Sequence, residues 1–117
     1  MEKESILISI KKLLPVPLDV KDFDDELIMD INSILTILTQ MGIGPVEGFT
    51  ITDETQLWDE FETDINQQSM IRTYVYLRTK KLFDPPTNGT VTQSIDNQLK
   101  ELEYRLTTIT EGVKVII

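Results

Sequence analysis

Cysteine and histidine are both absent from the 117 residues. Without a thiol there is no disulfide and no thiolate metal site, which suits a reducing compartment. Without an imidazole as well, a histidine-dependent triad, a cysteine nucleophile and a zinc centre are excluded by inventory. Apolar runs are short, none reaching the roughly 18 residues of a spanning helix, so no membrane contact is expected. The opening Met1-Glu2-Lys3-Glu4 lacks the basic region and long apolar core of a signal peptide. A glycine-rich phosphate loop is missing too, because Gly42-Ile43-Gly44 has no third glycine, preceding strand or lysine. Asn88-Gly89-Thr90 has the spacing of a glycan acceptor but reads as a turn in such a chain. There are no internal repeats and no low-complexity tracts. A hydrophobic content of 40 % nevertheless supports an ordered single domain with a modest core.

Carboxylates are the plentiful reactive group. Twenty acids against eleven bases give a net charge of −9. Inventory alone leaves a paired acid–base site or a magnesium site open. The densest cluster, Asp22, Asp24 and Asp25, is explained by its place at a helix start, where negative charge meets the positive end of the dipole. A simple nucleic-acid binder would be basic overall, so DNA should be repelled by the chain as a whole. The run from Arg72 to Lys81, interleaved with Tyr74 and Tyr76, therefore reads as a core tyrosine flanked by cations near a helix end. Trp58 reads as a core anchor.

Charge is unevenly distributed. Residues 42 to 64 carry seven acids and no base, whereas residues 65 to 84 carry four bases and one acid. This sign reversal invites pairing of the two segments, within a subunit or between subunits. The candidate interface comprises Asp53, Glu54, Asp59, Glu60 and Glu62 on one side, and Arg72, Arg78, Lys80 and Lys81 on the other.

Periodicity predicts an all-α, compact bundle of about five helices. The first spans about Glu2 to Leu14, with Ile6, Leu7, Ile10, Leu13 and Leu14 on one stripe, and Pro15 and Pro17 stop it. The second carries Leu27, Ile28, Ile31, Ile34, Leu35, Leu38 and Met41, with Asp22 or Asp24 as cap and Gly42 closing it. An irregular Gly/Pro loop occupies 42–53, where Phe49 and Ile51 either pin the loop to the core or form a short extended piece. Asp53 and Gln56 resemble a capping box ahead of a short helix with Leu57, Trp58 and Phe61. The fourth helix runs from near Asp64 to Phe83 and ends at Asp84-Pro85-Pro86. Its apolar residues lie on two sides: Met70, Ile71, Tyr74, Val75, Leu77 and Leu82 share an arc that Tyr76 and Phe83 oppose. A helix apolar on two sides needs two covers, which adds Tyr76 and Phe83 to the candidate interface. In the last helix, Thr90 and Gln93 suggest a cap, and Ile95, Leu99, Leu102, Leu106 and Ile109 make a two-repeat heptad seam. Gly112 is expected to end it. Residues 1–112 thus read as one helical domain and 113–117 as an apolar, β-prone tail that tucks in or pairs with a partner.

The Tyr-rich helix running into Leu82-Phe83-Asp84-Pro85-Pro86, the amphipathic helix from Leu27 to Met41, and the closing seam with Glu103-Tyr104-Arg105-Leu106 resemble the head–tail connector proteins of tailed bacteriophages. That family is also catalogued as head-completion or DNA-packaging proteins. The resemblance covers nearly the whole chain. It implies an all-helical structural subunit, with no enzymatic turnover and no cofactor, that assembles into a homo-oligomeric ring, commonly of twelve. The expected partners are the portal protein and a head-closure (stopper) or tail protein, the ring forming either on its own or only on the portal. DNA would traverse the channel without specific binding, which an anionic wall favours. The location implied is the virion, and the host cytoplasm during assembly. By resemblance, the last helix and tail are candidates for the portal contact: Leu99, Leu102, Leu106, Ile109, Val113, Val115, Ile116 and Ile117. The residues also admit two readings from other classes. One is a small acidic protein-binding or DNA-mimicking regulatory module, which should be monomeric or dimeric; the other is a carboxylate-based metal enzyme, which should bind magnesium or manganese saturably.

Overall fold

The computed structural model describes residues 4–116, with side chains as far as Thr108. Five helices follow in chain order: α1 (Ile6–Leu13), α2 (Asp24–Gln40), α3 (Trp58–Phe61), α4 (Ile65–Phe83) and α5 (Gly89–Ile116). The fold is the all-α bundle expected, and among the described residues extended pairing is limited to one antiparallel bridge, Ser5 with Leu57. α4 is the hub, packing against α1, α2 and α5.

Each helix boundary has a local cause. The Ser5 hydroxyl accepts from Ile8 N at 3.2 Å, so α1 begins later than Glu2. Residues 4–6 are instead drawn onto the 56–58 segment, with Ile6 N donating to Gln56 O and Trp58 N donating to Glu4 O. α2 has Phe23 at its cap position without a side-chain bond, and Asp24, Asp25 and Glu26 fill its first turn. It ends in a Schellman motif: Ile43 N donates to Leu38 O, and Gly42, at φ +85°, donates to Thr39 O. Asp64 caps α4 by accepting from Gln67 N at 3.0 Å.

Besides the later start of α1 and the cap of α2 at Phe23 instead of Asp22 or Asp24, three further expected boundaries differ. Gln56 accepts from Thr52 N and Asp53 N, a turn ahead of α3 rather than its cap, while Glu60 reaches back to Leu57 N at the helix itself. Asn88, not Thr90, caps α5, its Oδ1 accepting from both Thr90 N and Val91 N. Finally, α5 does not stop at Gly112 but continues to Ile116, since a single glycine costs a helix only about 1 kcal/mol. Ile117 and the side chains from Ile109 onward lie outside the described residues.

The core gathers Ile6, Leu7 and Ile10 of α1, the apolar stripe of α2, Ile71, Tyr74 and Val75 of α4, and Ile95, Leu99 and Leu106 of α5. Trp58 is buried, its indole N–H donating to Ser9 Oγ at 3.1 Å, and is the core anchor expected. Phe49 meets Phe61 edge-on at 5.7 Å and Ile51 is buried, so the 42–53 loop is pinned to the core. Leu82 departs from expectation. α2 starts level with the last turn of α4, where Phe23 meets Phe83 edge-on at 5.6 Å. Cover therefore arrives on the Phe83 side, and Leu82 is left 57 % exposed. Leu13 is likewise exposed, with Leu14 taking the buried place.

Candidate assembly surfaces

The four bases of α4 already have partners within the protomer. Arg72 pairs with Glu4 and lies over the Trp58 ring at 5.5 Å. Arg78 reaches Glu103 at 2.6 Å, Lys80 reaches Asp84 at 3.7 Å, and Lys81 pairs with Asp96. None of these carboxylates comes from the 53–64 segment. The acids of that segment serve the local backbone instead: Asp53 accepts from Thr55 N, Glu60 from Leu57 N and Glu62 from Asp64 N, while Asp59 accepts from the Gln68 amide. The side-chain and backbone donors of Thr55 hold the Asp53 carboxyl below its usual range. Glu54 lines a cleft with Asp53 and Lys21.

One ionic network was not expected from the sequence. Tyr74 Oη donates to Glu103 Oε2 at 2.8 Å, Arg78 Nε donates to Tyr74 Oη at 3.1 Å, and Arg78 Nη2 donates to the same Glu103 oxygen. It ties the Tyr-rich helix to the Glu103–Leu106 segment of α5, so the two motifs behind the resemblance touch each other. Burial, then the bond to Glu103, pushes the Tyr74 phenol up to about 12. Partial burial alone would raise Glu103, but the bonds from Arg78 and Tyr74 outweigh it and hold that carboxyl below its usual range.

These shifts set a pH dependence with two edges. The folded state keeps the Tyr74 proton to about pH 12 while the unfolded phenol releases it near 10, so this contribution is intact below pH 10 and drains away between 10 and 12. The Glu103 contribution has the opposite sign, present above the ordinary carboxylate range and lost on acidification through the lowered value. Alkaline titration followed by tyrosinate absorbance is expected to show a step near pH 12 that Tyr74→Phe removes. If the curve is the same without the Tyr74 phenol, the network does not hold that proton.

On its other side α4 presents a groove of about 410 Å³, bounded by Leu13 of α1 and by Ile65, Arg72 and Tyr76. Leu13 is 48 % and Ile65 66 % exposed beside a half-buried Tyr76, and Gln68, Ser69 and Thr73 complete the mixed lining. Phe23 covers the Phe83 end of α4. On α5, Leu99 and Leu106 are buried on the protomer's own core and are not surface residues, whereas Leu102 is half-buried. Among the described residues no helix is long and apolar enough to cross a membrane, and no group of acidic side chains is arranged to hold a metal ion.

The polar side chains described above maintain a helical scaffold, and apolar residues stand bare on its rim. A family model described as phage connector protein matches residues 6–113, and the chain belongs to that family of structural phage proteins. No curated protein and no solved structure matches it.

Proposed function

We propose that the protein is a subunit of the ring that joins the portal vertex to the tail or head-closure protein and extends the DNA channel. The observation that carries this reading is the groove on α4 with exposed Leu13 and Ile65, left open by a protomer that belongs to the connector family. A heterologous contact, one surface meeting a different surface of the next copy, closes such a groove and generates a ring.

In this reading the acids Asp53, Glu54, Asp59, Glu60 and Glu62 of one copy face Arg72, Arg78, Lys80 and Lys81 of the next. The protomer's own ion pairs do not forbid the exchange, because partly exposed pairs are worth only about 0–1 kcal/mol each. Tyr76 and Phe83 join this interface. Leu102 and the 109–117 segment are the portal contact, and Leu99 and Leu106 support it from beneath. The net charge of −9 lets DNA slide past without tight phosphate contacts.

Native mass spectrometry of the purified protein, alone and mixed with its candidate portal ring, tests the reading. A ring is expected in the mixture, and its mass gives the copy number. A monomer that ignores the portal would overturn the ring, leaving the acidic protein-binding module as the account to pursue.

A further inference from the structure

The 42–51 loop is held as a rigid presentation rather than left slack. Ile43 and Ile51 are buried at its two ends. Asn32 grips the far end twice, donating to Ile51 O at 3.0 Å and accepting from Ile51 N at 2.7 Å. Gly44 lies directly on the Phe61 ring, and Gly48 N donates to Pro45 O at 3.0 Å, closing the turn. At the tip of this braced turn stands Val46, 96 % exposed, followed by Glu47. A valine on a preorganised turn gains nothing for its own protomer, whereas bound in a pocket it loses little entropy.

The groove on α4 offers the complement. Leu13, Ile65 and Tyr76 supply its apolar lining, beside Gln68, Ser69, Arg72 and Thr73. Lys12, next to Leu13, is exposed and has no ion pair among the described residues, and the same holds for Glu47. No residue is shared by the turn and the groove, so both stay available on every copy, as a head-to-tail contact requires.

We propose that Val46 of one copy seats in the Leu13–Ile65–Tyr76 groove of the next, with Glu47 against Lys12. The contact rests on the ring reading and specifies the surfaces that would close it.

The natural absence of cysteine makes the test clean, since every thiol of this chain is an introduced one. The Val46→Cys/Ile65→Cys double variant is oxidised with the portal ring present and resolved on a non-reducing gel, while native mass spectrometry reports assembly of the unmodified chain. A ladder of covalent multimers is expected from the double variant, and dimers only from an equimolar mixture of the two single variants. Each single variant alone should stay monomeric on the gel. Dimers from Val46→Cys alone would mean a two-fold contact and overturn the proposal. A ring without a ladder, in this pair and with Leu13→Cys replacing Ile65→Cys, would overturn the seating while leaving the ring reading in place. If the unmodified chain forms no ring, both fall. The sites are exposed, and retained helical circular dichroism confirms that each variant folds.

Discussion

Lys11→Ala is expected to lower unfolding stability by about 3 kcal/mol, among the largest losses any single surface-type side chain of this protein could cause. Lys11 is fully buried, yet it is a lysine. Its ammonium donates to Val20 O at 2.8 Å, to Asp24 Oδ1 at 2.8 Å and to Leu18 O at 3.4 Å. One cation thus ties the Pro15–Phe23 connection to α1 and meets the acidic first turn of α2. Removing it strands a carboxylate that is only 19 % exposed, together with two carbonyls. Asp24 can regain some water, which places the loss at the lower end for a broken buried pair. Urea unfolding of Lys11→Ala, Asp24→Ala and the double variant gives the coupling directly, and the double loss should fall short of the sum by more than about 1 kcal/mol. Lys11→Met, which keeps the stem, separates packing from charge. If Lys11→Met matches the unmodified chain within about 0.5 kcal/mol, the ammonium is not bound as described.

Sequence periodicity reads this fold well where one face carries the signal. The stripe from Leu27 to Leu38 is buried as its spacing requires, and Gly42 closes α2 in a left-handed turn. It reads poorly where a charged residue joins an apolar seam. Lys11 lies four after Leu7 and three before Leu14; Glu103 lies four after Leu99 and three before Leu106. Both sit on the core side of their helices, and that spacing was the available signal. A charge on a stripe is read as solvated by default, because burial needs partners that sequence does not display.

Charge blocks were equally opaque. The acid-only and base-rich segments adjoin along the chain, but the α4 bases find Glu4, Asp84, Asp96 and Glu103 instead. Helix packing decides which charges meet: α5 lies along α4 and brings Asp96 and Glu103 alongside it, while the bridge from Ser5 to Leu57 carries Glu4 to Arg72. Two-sidedness in α4 was legible, because Tyr76 and Phe83 leave the main arc by their helical angle alone. Which part of that side stays bare was not, since Phe23 arrives from another helix.

Gly44→Ala is expected to cost about 3 kcal/mol, from two sources that a second substitution can separate. The backbone there lies at φ +83°, where a side chain costs roughly 1–2 kcal/mol. A Cβ would also sit 2.6 Å from Cε1 and Cζ of Phe61, the ring that Phe49 braces edge-on. Relief would require moving an aromatic ring in a packed core, and overpacking of that kind costs about 1–3 kcal/mol. In a Phe61→Leu background the clash is gone but the backbone strain remains, so Gly44→Ala should cost less stability there than it does when Phe61 is kept. Thermal or urea unfolding of the four proteins in that cycle measures the difference, and additive losses would mean that the ring and the loop do not touch. Because the same contact aims the Pro45–Gly48 turn, Gly44→Ala should also weaken the Val46 ladder more than its effect on folding explains. The turn would then be a part whose orientation, and not merely its presence, matters for meeting the next copy.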